Sequence, residues 1–178
     1  PVGPVLTKAQ AEAAPYPVAM TAKGLRRVVA SPDPRTIVER HEIAKLVAEG
    51  FLVVCCGGGG IPVVRQGRGF DGVDAVIDKD LASAVLGAEI GAKELVIATD
   101  VPGVALDYGT ARERWPRRLT AAQAEADLLD GQFPAGSMGP KVRACLDFLE
   151  HGGSSAVICH LDDIEAAVRG RAGTTITA

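Results

Sequence analysis

The chain has 178 residues and a formal net charge of −3, enough for one domain with a sizeable core and little more. Its basic residues form no long run, so neither nucleic acid nor an anionic membrane surface is suggested as a partner. No apolar stretch approaches the roughly 18 residues that cross a bilayer. The four cysteines, Cys55, Cys56, Cys145 and Cys159, make no C-x-x-C spacing, so we expect a cytoplasmic setting with buried, reduced thiols and neither a zinc site nor a redox motif. The sequence opens at Pro1 inside the Pro/Gly segment Pro1-Val2-Gly3-Pro4, which reads as a cut through a longer protein.

Residues 1 to about 34 are rich in proline and show little periodicity beyond the extended run Arg26-Arg27-Val28-Val29. They are expected to form a small irregular or β subdomain, with residues 35–178 as the main lobe. Ser31-Pro32-Asp33-Pro34 predicts a helix start, with Asp33 as N-cap and Pro34 in the first helical position. That helix is expected to run to about Glu49 and stop at Gly50. Phe51 to Cys56 reads as a buried strand, and a hairpin is expected around Gly67-Arg68-Gly69. A short strand, Ala75-Val76-Ile77, leads into a helix near Asp78, with Leu81, Ala84, Val85 and Ala88 at helical spacing. Leu95 to Ala98 is a further strand, ended by Thr99-Asp100. Helices follow from Thr120 and from Gly139, the second with Val142, Cys145, Leu146 and Leu149 as its apolar face. Ser155 to Cys159 is expected as a strand, Leu161, Ile164 and Val168 mark the next helix, and Thr174 to Thr177 a last strand. Such alternation implies a mainly parallel sheet with helices on both sides, a three-layer αβα sandwich.

The most informative segment is Gly57-Gly58-Gly59-Gly60-Ile61-Pro62, directly after the apolar run. Four glycines are costly to order. At the end of a parallel strand they let backbone N–H groups approach an anion unobstructed. Lys79 and Lys141 each fall in the first turn of an expected helix, where the dipole disfavours a cation by about 0.3–1 kcal/mol. Either each lysine turns into water, or a polyanion attracts lysine and dipole together. Asp78 and Asp80 flank Lys79 and suit either a helix cap or a carboxylate that holds lysines in place. The loop Phe133 to Lys141 brings small residues to a helix start with a lysine, although the Gly-x-x-x-x-Gly-Lys-Ser/Thr pattern is absent. Two such helix starts and a glycine loop suggest phosphoryl transfer between anions, which needs charge neutralisation and alignment more than covalent chemistry. No Ser/His/Asp arrangement is visible, and His41, His151 and His160 are scattered, so no protein metal site is expected.

At these residues the chain resembles carbamate kinase, of the amino acid kinase superfamily. The resemblance is carried by Cys56 to Val64, Ala75-Val76-Ile77-Asp78-Lys79-Asp80-Leu81-Ala82-Ser83 and Gly136-Ser137-Met138-Gly139-Pro140-Lys141-Val142. Arg26 to Pro34, Pro1-Val2-Gly3-Pro4 and Thr99-Asp100-Val101-x-Gly103-Val104 fit in the same order. It implies an open αβα sandwich, a homodimer, and reversible phosphate transfer between carbamoyl phosphate and ADP, giving ATP and carbamate, with Mg²⁺ accompanying the nucleotide. On that resemblance Gly57, Gly58, Gly59 and Gly60 would cradle the carbamoyl phosphate or the transferring group. Lys79 and Lys141 would neutralise phosphate charge, Lys141 in the transition state, and Asp80 would orient both. Thr99, Asp100, Val101, Gly103 and Val104 would shape the nucleoside side, with Gly136, Ser137 and Met138 closing over it. Residues 1–34 would belong to a protruding subdomain that covers the substrate.

Three positions depart from the family pattern: Ala105 where an aromatic residue is usual, with Tyr108 as a substitute; Cys56 where Ser is common; Pro102 where an acidic residue is frequent. The family also has an N-terminal part, with a first glycine-rich loop and the first strands of the sheet, that has no counterpart in these residues. The chain alone is therefore expected to be inactive or poorly folded. Other readings are another superfamily member acting on a different acylphosphate or phosphate, or a non-catalytic nucleotide-binding or dimerisation module.

Overall fold

The computed structural model describes every residue except Ala135, which lies in the small-residue loop before the second lysine. The chain divides into two compact units, Pro1–Asp33 with Ile61–Ile77, and Pro34–Gly60 with Asp78–Ala178. Residues 61–77 thus join the N-terminal segment, whereas the sequence reading put them in the main lobe.

The first unit holds strand β1 (Val2–Leu6), helix α1 (Lys8–Glu12), β2 (Val18–Thr21) and β3 (Gly24–Arg27). Its strands form an antiparallel sheet in the order β1-β3-β2. Strands β4 (Val63–Gln66) and β5 (Gly69–Gly72) make the expected hairpin, with Gln66 opposite Gly69. Gly67 in its two-residue turn has φ +57°, a conformation in which Cβ would be disfavoured. The expected strand 75–77 is a single parallel bridge from Ala75 to Ala30. Arg27 Nη2 donates to both carboxylate oxygens of Asp74, at 2.6 and 2.5 Å, and its guanidinium lies 4.9 Å from the Tyr16 ring centroid.

The second unit contains helix α2 (Arg40–Ala48), α3 (Lys79–Glu89), β6 (Glu94–Thr99), β7 (Arg118–Thr120), α4 (Ala121–Leu129), α5 (Met138–Glu150), β8 (Ser155–His160), a 3₁₀ turn at Leu161–Asp163, α6 (Ile164–Val168) and β9 (Thr174–Thr177). Its sheet runs in the order β6-β8-β9-β7. β6 and β8 are parallel and in register from Glu94 opposite Ser155 to Thr99 opposite His160. β7 is parallel to β9, and β9 is antiparallel to β8. The sheet is therefore mainly parallel, as expected, with one antiparallel pairing.

The interior run of β8 explains the layers. Ala156 and Ile158 face a core built from Leu81 and Ala84 of α3, Ala124 of α4, and Val142, Ala144, Cys145, Phe148 and Leu149 of α5. Val157 and Cys159 face the opposite way, towards Ala167 of α6. A strand buried on both faces reads as a continuous apolar run, and this one does. Phe148 is fully buried. A Cβ on Gly153 would come within 2.2 Å of its ring, and one on Gly87 within 3.1 Å, so both glycines make room for it.

Three expectations are corrected. Residues 51–56 form no strand, and Leu52 and Val54 are 96% and 94% exposed. A strand needs a hydrogen-bonded neighbour, and none of the described strands lies beside this segment. Cys55 is consequently exposed and Cys56 half-buried, whereas Cys145 and Cys159 are buried as expected; all four are free thiols. Helix α2 begins at Arg40 rather than Pro34, because the preceding groups bind elsewhere. The Ile37 N–H donates to Glu89 Oε2 at 3.0 Å, and the Thr36 hydroxyl donates to Glu89 Oε1. The helix marked by Leu161, Ile164 and Val168 is present as the 3₁₀ turn and α6, with all three residues exposed and Ala167 the buried residue of α6. Strand β7, only three residues long, has no counterpart in the sequence reading.

Phe148→Ala is expected to lower the unfolding free energy of the second unit by about 3–5 kcal/mol. Val54→Lys should change it by less than about 0.5 kcal/mol. Urea titration of both variants checks the contrast.

Candidate active site

Helix α3 begins with a division of labour between two aspartates. Asp78 is the N-cap, in extended conformation, and its Oδ1 accepts from the backbone N–H groups of Asp80 at 2.8 Å and Leu81 at 3.2 Å. Two of the orphan donors of the first turn are thereby satisfied. The carboxylate of Asp80, not needed as a cap, turns to the lysines. Lys79 Nζ donates to Asp80 Oδ1 at 2.7 Å, and Lys141 Nζ donates to Asp80 Oδ2 at 2.8 Å. The alternatives left open by the sequence are thus both realised, one by each residue.

Lys141 arrives from the first turn of α5, 61 positions away. Pro140 is tolerated there because the N–H it lacks would have no helical partner. Gly139 is buried, its N–H donates to Pro134 O at 3.0 Å, and a Cβ would stand 3.2 Å from that oxygen. The α5 start is therefore seated directly on the preceding loop. Ser137 is the N-cap residue, without a capping side-chain hydrogen bond.

The three groups carry a net positive charge beside two helix N-termini. The side chain of Lys141 is 14% exposed and that of Lys79 is 53% exposed. Burial alone would raise the Asp80 pKa, but hydrogen bonds and charge from Lys141 and Lys79 overcome it and hold the carboxyl below its ordinary 3.8. For Lys79, burial works downward, and Asp80 overrides it and raises the ammonium pKa above 10.5. Burial and then the Asp80 charge push the Cys145 thiol up to about 12, against the opposing charge of Lys141. Cys145 is thus no nucleophile near neutral pH.

The glycine loop is shaped by backbone alone. Cys56, Gly57, Gly59 and Gly60 have φ of +62°, +47°, +131° and +85°. Gly57 N–H donates to Cys55 O and Gly59 N–H to Cys56 O, each at 2.8 Å. Gly57, Gly58 and Gly60 are exposed, with nothing within 4 Å of a built Cβ. Among the described residues, no hydrogen bond or ion pair joins this loop to the lysine pair.

On the other side, Thr99 ends β6 and its hydroxyl donates to Asp100 Oδ1 at 3.2 Å. Val101 is half-buried; Gly103 and Val104 are buried, Val104 wholly so within the main core. Only their backbone can face a ligand. Gly136 and Ser137 are exposed, and Met138 is half-buried against the core. Ala105 is buried, whereas Tyr108 is exposed and meets Trp115 edge-on, with centroids 6.3 Å apart. Tyr108 lines an open groove of about 290 Å³ with Asp107, Thr110, Gly131, Gln132 and Pro134. Gln132 Oε1 accepts from the Asp107 N–H at 2.9 Å and ties the two walls together. Apart from Tyr108 and Pro134, the lining of this groove was not marked in the sequence, because two loops distant in sequence create it.

A family model described as the amino acid kinase family matches residues 3–160. The chain belongs to the amino acid kinase family. It is 47% identical over 155 residues to a carbamate kinase of Pyrococcus horikoshii, covering 87% of this chain and 49% of that protein. A carbamate kinase-like protein of Escherichia coli is also 47% identical over 155 residues, covering 86% and 49%. Among solved structures, a carbamate kinase from Giardia lamblia bound to AMP-PNP superposes with a TM-score of 0.89 at 38% identity, over 99% of this chain and 58% of that one. The chain spans about half the length of the curated relatives it matches. The amino acid kinase assignment agrees with the αβα architecture, and partial coverage of the relatives fits an incomplete fold.

A depressed Asp80 pKa stabilises the folded state above the ordinary carboxylate value, and that stability is lost as pH falls through 3.8 and below. Asp80→Asn is expected to cost about 1.5–3 kcal/mol at pH 7 and to flatten the acid limb of stability below pH 4. Denaturant unfolding at pH 3 to 7 measures both.

Proposed function

We propose that this chain is the nucleotide-bearing part of a carbamate kinase, which transfers a phosphoryl group reversibly between carbamoyl phosphate and ADP and yields ATP and carbamate. The observation that carries the reading is the Asp80 carboxylate bridging Lys79 and Lys141, each within 2.8 Å, in a member of a kinase family. Phosphoryl transfer asks mainly for alignment and for neutralisation of developing charge. Lys141, mostly buried and fixed at its tip, bears on the transferring group. Lys79, more exposed, neutralises the phosphates. Asp80 prevents the two ammonium groups from separating and so acts through them as a positioning residue. Gly57 to Gly60 are proposed to cradle the acylphosphate without side-chain obstruction, through the backbone N–H groups of Gly58 and Gly60, since those of Gly57 and Gly59 donate within the loop. Thr99, Asp100, Val101, Gly103 and Val104 form the floor of the nucleoside side, and Gly136, Ser137 and Met138 its rim, with the Tyr108 groove beyond.

Mg²⁺ is proposed as a companion of the nucleotide rather than a resident of the protein. Both Asp80 oxygens are engaged by lysines, and no group of three or more His, Cys, Asp or Glu residues among the described residues is arranged to hold a metal. Mg²⁺ commonly takes its ligands from phosphates and water in such reactions. Residues 1–34 are proposed to belong to a subdomain that covers the substrate, and the active form to be a cytoplasmic homodimer. The family resemblance supports both, and no helix of the described residues is long and apolar enough to cross a membrane.

ATP formation from ADP and carbamoyl phosphate, by the protein extended to the full length of its relatives, tests the reading. Activity is expected there, and its absence with carbamoyl phosphate contradicts the substrate assignment. Lys141→Ala should lower kcat by roughly 10²–10³-fold while ADP still binds within a few-fold of the parent.

A further inference from the structure

Between β6 and β7 the chain leaves the sheet as a loop over residues 104–116, and a single hydroxyl closes its neck. Thr174, the first residue of β9, is 1% exposed. Its Oγ1 accepts from the Val104 N–H at 3.0 Å and donates to the Pro116 carbonyl at 2.6 Å. Those two groups stand at the two ends of the loop. A hydroxyl can accept and donate at once, whereas a valine of the same shape can do neither. One rung further out, Leu106 and Arg114 exchange backbone hydrogen bonds at 2.9 and 3.1 Å. The tip then carries Asp107, Tyr108 and Thr110 into the open groove. Gly103 belongs to the same device: a Cβ there would lie 2.6 Å from Thr174 Oγ1 and 3.1 Å from Thr174 N.

We propose that Thr174 is a positioning residue for the nucleotide, its hydroxyl fixing the neck that sets both the Gly103–Val104 floor and the Tyr108 groove. This rests on the nucleotide reading above. Thr174 acts only through the loop. Removing its hydroxyl leaves a buried N–H and a carbonyl without their partner, and buried unpaired groups are costly, so the neck opens to water.

The test compares Thr174→Val with Thr174→Ser in the protein extended to the full length of its relatives. Calorimetry measures ADP binding, and amide hydrogen exchange without nucleotide reads Val104, Leu106 and Arg114. In Thr174→Val, exchange at the three amides should accelerate by on the order of tenfold or more, and ADP should bind about tenfold more weakly. Thr174→Ser should hold both within about twofold of the parent. An unchanged neck in Thr174→Val, or a serine variant as impaired as the valine one, overturns the proposal. Should Thr174→Val fail to fold, Gly103→Ala displaces the same hydroxyl and must reproduce the exchange pattern; unchanged exchange there also overturns it. A full-length parent that binds no ADP instead overturns the nucleotide role and the function reading together, and the exchange arm distinguishes that failure from a neck held by other groups.

Discussion

A carboxylate that accepts from two ammonium groups at once is the constraint on which the second unit's chemistry depends. Lys79 and Lys141 are 62 positions apart and both sit in first helical turns, where like charge and helix dipole would drive them away from each other and from the helix ends. Asp80 cancels one charge and fixes both tips. The arrangement holds only because Asp78 takes over the capping of α3. Its stability value is modest, since Lys79 is half exposed and solvent screens its share. Its effect is geometric: two cations held together with a net charge left for an anion.

Around that point the fold works as a set of seats. The main core presses α3 and α5 together through Leu81, Ala84, Val142 and Phe148, so the helix starts that bear the lysines cannot drift. Gly139 seats the beginning of α5 against Pro134, and Gly153 and Gly87 accommodate the Phe148 ring. Close packing of this kind transmits small displacements. Packing far from the lysines therefore fixes where their tips lie.

Much of this was legible in the sequence because it was local. The caps at Asp78 and Thr120, the apolar spacing of α3 and α5, and the buried run of β8 are all written within a few residues of each element. The start of α2 was not, because Glu89, far downstream, takes the Ile37 N–H that a helix would have used and also accepts from the Thr36 hydroxyl. Residues 51–56 have the composition of a buried strand but no described neighbour, and composition cannot supply a partner. Both lysines and Asp80 were singled out from helix electrostatics, and only coordinates could divide capping from lysine-holding between Asp78 and Asp80. Thr174 gave no signal, since a hydroxyl that joins Val104 to Pro116 is invisible until β9 is laid beside β7 and β8.

The account stands or falls on the lysines and Asp80 acting as one cluster. A double-mutant cycle with Asp80→Asn and Lys141→Met, read by denaturant unfolding at pH 7, measures that directly. A coupling of about 1 kcal/mol or more between the two positions is what the bridging carboxylate predicts. Effects that add to within about 0.3 kcal/mol would show two independent side chains and contradict it.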